Sequence, residues 1–163
     1  MTESPLFIAD AMLGSLSKWL RILGFDTLYF KKIDDNELIK IAKQEQRILL
    51  TRDTSLVKRK KIDSCILINS NNTFEQLKEV LLWVKRQAHD AQRTTLHANL
   101  RCTVCNGLLM PVDKGFVMDA IPDHIFLNSD CFFRCKNCGK IYWNGSHKKM
   151  IDAKIEEVLQ DII

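Results

Sequence analysis

The chain has 163 residues, 46% of them hydrophobic and 27% charged, which suits one medium soluble domain, or one medium and one small domain. No stretch approaches the roughly 20 apolar residues of a membrane span, and the start MTESPLFIADAML lacks the basic head and cleavage pattern of a secretory signal; a cytoplasmic protein is expected, with its six cysteines as metal ligands or free thiols. The formal charge of +4 leans towards an acidic partner such as nucleic acid, but four thiolates on one zinc would bring it to about +2, and KRKK at 58–61 is the only local basic patch, either a solvated turn or a phosphate contact.

In chain order, Leu6–Ala9 is a short apolar run read as a strand. Leu13, Leu16, Leu20 and Leu23 then recur at helical steps with Trp19 beside them, an amphipathic helix stopped by Gly24. Residues 26–30 read as a second strand. Asp34 or Asp35 caps a helix through Glu45, with Glu37 as capping-box partner of Asp34 and Leu38, Ile41 and Ala42 facing inward. RILLT, 47–51, is a third strand and CILINS, 65–70, a fourth. Thr73 with Gln76 reads as a capping box for a helix whose Phe74, Leu77, Val80, Leu81 and Val84 share one face. Strands alternating with helices imply an α/β fold with a parallel sheet covered on both faces.

In such a sheet the carboxyl ends of all strands reach one edge, where ligands bind. Asp10 follows strand one, Asp34 and Asp35 follow strand two, and Asp53 follows strand three. Carboxylates gathered at one point stay ionised only beside cations, and hard oxygen ligands suit magnesium or manganese, which can activate a water for attack on phosphorus. Asp10 and Asp53 are the first candidate ligands, then Asp35 and Glu37, with Asp34 better suited to capping. Thr51 offers a hydroxyl at the same edge, and Lys18, Arg21 and Arg52 are candidate phosphate contacts, with a solvated helix face as the alternative for Lys18 and Arg21.

FIADAMLGSLSKWLRILGFDTLYF followed by DDNELIKIAKQEQRILLTRD resembles the PIN-like nucleases, and within them the family named after the C-terminal RNase domain of the Mut-seven exonuclease. The resemblance runs from about Leu6 to Met150. It implies a three-layer domain with a mostly parallel sheet of four or five strands, a divalent-metal RNase centre, and a zinc ribbon behind it. Asp10 matches the acid closing the first strand, Asp35 and Glu37 come from DDNE, and Asp53 occupies a Thr-x-Asp element with Thr51. Many PIN domains carry a further acid after the fourth strand; here Asn69, Ser70, Asn71 and Asn72 stand before Glu75, which leaves one metal or two undecided.

CTVC at 102–105 and CKNC at 135–138 are two Cys-x-x-Cys pairs 29 residues apart, with Gly107 and Gly139 close behind. Two such knuckles place four sulfurs around one structural zinc, Cys102, Cys105, Cys135 and Cys138. Cys131 and Cys65 are left over, Cys65 as a small buried hydrophobe, and His89, His97, His124 and His147 show no ligand spacing. Tyr142, Trp143 and His147, beside basic residues, form a nucleic-acid contact, or else Tyr142 and Trp143 fill the ribbon's core and Ser146 caps the last helix. Residues 85–101 form a polar helix extension or linker, so the expected domains are a nuclease domain, 1–95, and a zinc ribbon with C-terminal helix, 96–163. That helix carries Ile151, Ile155, Val158, Leu159 and Ile162 on one face, to be buried within the chain or in a homodimer. The favoured function is a magnesium- or manganese-dependent RNase whose ribbon contacts RNA; the alternatives are an inactive RNA-binding module of an RNA-processing or ribosome-associated assembly, and a phosphatase.

Overall fold

A computed structural model describes residues 4–58, 62–87 and 100–162, and the chain divides into two compact units, Met1–Asn106 and Gly107–Ile163. Most of the basic run at 58–61, His89, His97 and the expected boundary at residue 95 lie outside the described residues.

The first unit is built on four parallel strands, β1 (Phe7–Ala9), β2 (Thr27–Tyr29), β3 (Ile48–Thr51) and β4 (Cys65–Leu67), in the order β2-β1-β3-β4. All three residues of β1 are buried, as a strand covered on both faces requires. The chain leaves β1 through a 3-10 turn, Ala11–Leu13, into helix α1 (Gly14–Ile22); Leu16 and Leu20 of the helix and Leu13 and Leu23 at its two caps are all buried. Helix α2 (Asp35–Gln44) connects β2 to β3 and is capped by Asp34, whose Oδ1 accepts from the amides of Asn36 and Glu37 at 2.9 and 3.1 Å. Leu38, Ile39 and Ala42 of α2 pack with Ile8 and Leu49, and Ile41 lies partly buried beside them.

Since the β1-to-β2 and β2-to-β3 crossovers run in opposite directions across the sheet, right-handedness puts α1 and α2 on opposite faces. A five-residue helix, α3 (Thr54–Lys58), joins the α2 side through Leu56. Helix α4 (Thr73–Gln87) packs on α1, with the Trp19 and Phe74 rings edge to face at 5.0 Å. The result is a three-layer α/β unit whose fully buried leucines and isoleucines each contribute about 1.5–3 kcal/mol of apolar burial. One local expectation changes and one element is added. Residues 54–58, to which the sequence assigned no element, are helical, and the cap of α4 is Asn72, not Thr73: Asn72 Oδ1 accepts from the amides of Phe74 and Glu75 at 2.9 and 3.3 Å. Thr73 already lies inside the helix, while Gln76 reaches back to the Ser70 carbonyl at 3.0 Å.

The second unit holds an antiparallel sheet of β5 (Leu109–Val112), β6 (Phe132–Cys135) and β7 (Ile141–Trp143) in that order. A short helix, α5 (Asp123–Asn128), precedes β6. Val117, Ile121 and Phe132 form a small core with Val112, Ile125, Phe126 and Ile141 around it. Trp143 is 36% exposed, so the aromatic pair does not fill that core as a whole. The last helix, α6 (Ser146–Gln160), buries Ile155 and Val158. No described helix is long and apolar enough to cross a membrane.

Candidate active site and metal centre

The chain leaves β1 towards β2 and leaves β3 towards β4, so the two exits part and open a crevice between neighbouring strands, the place where open parallel sheets bind ligands. Asp10 and Thr51 stand on its two sides, each one residue beyond the paired Ala9 and Leu50. The fully buried Thr51 hydroxyl donates to Asp10 Oδ2 at 2.8 Å and accepts the Asp53 amide at 3.0 Å. Because the Asp53 N–H can only donate and the Asp10 carboxylate can only accept, the hydroxyl proton is aimed at Asp10. Asp53 Oδ1 in turn accepts from the amides of Ser55 and Leu56 at 2.7 and 3.4 Å and caps α3.

Asp10, Thr51 and Asp53 are therefore one hydrogen-bonded chain across the switch point. Asp35, half-buried, and Glu37, exposed, start α2 at the exit from β2. Among the described residues, these acids form no group of three placed to hold a metal ion as the paired cysteines are. Tyr29, which the sequence did not single out, donates its hydroxyl to the Ala11 carbonyl at 3.2 Å and ties the turn after Asp10 to β2. Gly14 makes room for it: a Cβ there would lie 2.7 Å from the Tyr29 hydroxyl.

The four paired cysteines do converge, with all Sγ atoms within 4.8 Å of one another. Tetrahedral zinc with Zn–S bonds near 2.3 Å needs sulfurs about 3.8 Å apart, so the set fits a zinc ion. The two knuckles repeat one geometry. Asn106 N–H donates to Cys102 O at 2.9 Å and Gly139 N–H to Cys135 O at 3.0 Å, and both residues have positive φ, 67° and 74°. The Asn137 amide donates to Cys135 Sγ at 3.4 Å, a contact that favours the thiolate. Gly107 serves close approach, since a Cβ there would lie 2.8 Å from Cys135 Sγ. Cys131 is exposed, and burial pushes the Cys65 thiol above its ordinary pKa.

The model of the Mut7-C RNAse domain matches residues 5–155, which takes in both the rim and all four cysteines. The chain belongs to the Mut7-C RNAse domain family. No curated protein and no solved structure matches it. Membership in the Mut7-C RNAse family indicates a nuclease-type function with RNA as substrate.

The basic side chains of this Mut7-C RNAse domain divide by burial. Lys18 is exposed on α1. Arg21 is 4% exposed, and its guanidinium donates to the carbonyls of Thr27, Thr103 and Val104 at 2.9, 2.9 and 3.3 Å; it holds the chain together, which corrects its reading as a phosphate contact. Arg52 donates to Asn71 Oδ1 across the exits of β3 and β4, and its buried Nε has no hydrogen-bond partner among the described residues.

The loop after β4 has no acid of its own, but one arrives from α4. Glu79 accepts the Asn69 and Ser70 amides, each at 2.9 Å. The sequence signal was weak, since an acid mid-helix is ordinary on a solvated face. At the opposite end of the sheet Asp26 accepts from Arg47 at 2.6 Å, Asn106 at 2.8 Å and Arg101 at 3.0 Å. Burial pushes the Asp26 carboxyl up, but the hydrogen bonds from Arg47 and Asn106 and the charges of Arg47 and Arg101 outweigh it and hold the carboxyl below its ordinary value.

Proposed function

We propose that the chain is a magnesium- or manganese-dependent ribonuclease whose acidic rim hydrolyses phosphodiester bonds and whose four cysteines hold a structural zinc. The observation that supports this most is the Asp10–Thr51–Asp53 chain at the crevice between β1 and β3. Hard oxygen donors of this kind fit magnesium or manganese, which when bound would neutralise the carboxylates and lower the pKa of a bound water. Asp10 and Asp53 act as ligands, with Asp35 and Glu37 entering from the first turn of α2. Thr51 orients Asp10. Arg52, whose guanidinium lies across the exits of β3 and β4 beside Asn71, offers a charge towards an RNA phosphate, and exposed Lys18 on α1 a second.

In the same reading the ribbon adds RNA contacts. From Cys131 to Ile151 the sequence has five cations, Arg134, Lys136, Lys140, Lys148 and Lys149, and no acid, and half-exposed Tyr142 and exposed Trp143 and His147 lie in that stretch. The protein would work in the cytoplasm.

A second reading, an RNA-binding module that cuts weakly, draws on the loop after β4: it lacks an acid, and both Glu79 oxygens accept amides there. Cleavage of single-stranded RNA separates the two. Magnesium- or manganese-supported cutting is expected, at least about 100-fold weaker in Asp10→Asn and Asp53→Asn with RNA binding and the circular-dichroism spectrum retained. Full cleavage in both variants removes the acidic-rim mechanism, and binding without cleavage in the native chain favours the second reading.

A further inference from the structure

The first cysteine pair is tied down on every side by residues of its own α/β unit. Between the two cysteines, the carbonyls of Thr103 and Val104 accept from Arg21, whose Nε is anchored on the Thr27 carbonyl at 2.9 Å. Before them, Arg101 donates its guanidinium to the Asn106 carbonyl at 2.9 Å and pairs with Asp26 at 3.0 Å. After them, Asn106 uses both ends of its side-chain amide: Oδ1 accepts the Thr27 N–H at 3.0 Å and Nδ2 donates to Asp26 Oδ1 at 2.8 Å.

Thr27 opens β2, which among the described residues is an edge strand paired with β1 alone. Asn106 therefore takes an outward-facing strand amide that no described strand satisfies. It does so from a left-handed backbone, φ 67°, the conformation asparagine tolerates best among residues with a Cβ, while its own N–H closes the knuckle onto Cys102 O. None of these bonds requires a metal. Fixing a loop before its ligand arrives removes the ordering entropy from the binding step, and partners behind metal ligands contribute to metal affinity in this way.

We propose that the α/β unit presents Cys102 and Cys105 as a preorganised half-site for zinc, with Asn106 as its positioning residue, so that residues of the nuclease unit set how tightly the metal is held. The proposal rests on the metal reading of the four cysteines and is independent of whether RNA is cut. The test is zinc competition against a chromophoric chelator with the full chain. Asn106→Gly keeps the left-handed backbone and deletes both side-chain bonds; zinc affinity is expected to fall about 10–100-fold. An affinity within about twofold of the native chain overturns the positioning role. A native chain that takes up no zinc overturns the metal reading itself and the half-site with it.

A second measurement does not depend on any variant folding. In the metal-free native chain the Thr27 amide, bonded to Asn106 Oδ1, remains protected from hydrogen exchange while the Asn137 amide, which donates to a cysteine sulfur, exchanges faster than with zinc. A Thr27 amide that exchanges as an open one without metal overturns preorganisation.

Discussion

Removing the Asp26 carboxylate tests whether the polar cluster at the start of β2 holds the α/β unit together. Arg47 is only 9% exposed and reaches Asp26 at 2.6 Å, so Asp26→Ala leaves a nearly buried guanidinium short of a partner. Breaking a buried pair from one side costs about 3–5 kcal/mol. Arg47 keeps Glu45 at 2.7 Å and the Phe7 carbonyl at 3.2 Å, and the Asp26 side chain is 18% exposed, which brings the expected loss to about 2–3 kcal/mol. Urea unfolding followed by tryptophan fluorescence measures it, in a Trp143→Phe background so that Trp19 and Trp83, both in the first unit, report alone. The midpoint should fall with an unchanged slope. A loss under about 0.5 kcal/mol, the range of ordinary surface substitutions, would refute the reasoning. The acid limb gives a second reading of the same group: its folded pKa is depressed, so its contribution is complete above the unfolded carboxylate value near 3.9 and is lost as pH falls below that, through the folded pKa. Asp26→Asn should flatten this part of the stability profile.

Thr51→Val removes the donor to Asp10 and the acceptor of the Asp53 amide while keeping the shape of the side chain. Stability should fall by about 1–3 kcal/mol in urea unfolding and manganese-supported RNA cleavage by about tenfold or more, with Thr51→Ser restoring cleavage; equal cleavage by the valine and serine variants would show that orientation of Asp10 is immaterial. Gly107→Ala puts a methyl 2.8 Å from Cys135 Sγ, inside the roughly 3.5–4 Å of ordinary carbon contact, and should weaken zinc retention in chelator competition by about tenfold. Retention equal to the native chain would mean that the knuckle has room the geometry denies.

The placement of the rim residues in the fold was readable because the local signals there are strong. Short apolar runs with acids directly behind them placed Asp10 and Asp53 at strand exits, and the leucine stripe of α1 and the Asp34 cap of α2 appear where their spacing put them. Arg21 was misread for a physical reason: a basic residue on a helix looks solvated in sequence, and its burial depends on carbonyls at Thr103 and Val104, some eighty residues away. Residues 54–58 escaped because a five-residue helix has almost no periodicity; its existence rests on the Asp53 cap and on Leu56 finding the α2 core.

Local chemistry alone determined the alternation of strands and helices, the pairing of four cysteines into two knuckles and the delivery of acids to one edge, because spacing and residue type act over a few positions. Only the tertiary structure decided that β1 lies between β2 and β3, so that Thr51 meets Asp10 across the crevice. The same holds for Glu79 at the exit of β4 and for Asn106 on the edge of β2. Those contacts join residues far apart along the chain, and their partners are chosen by strand order and burial.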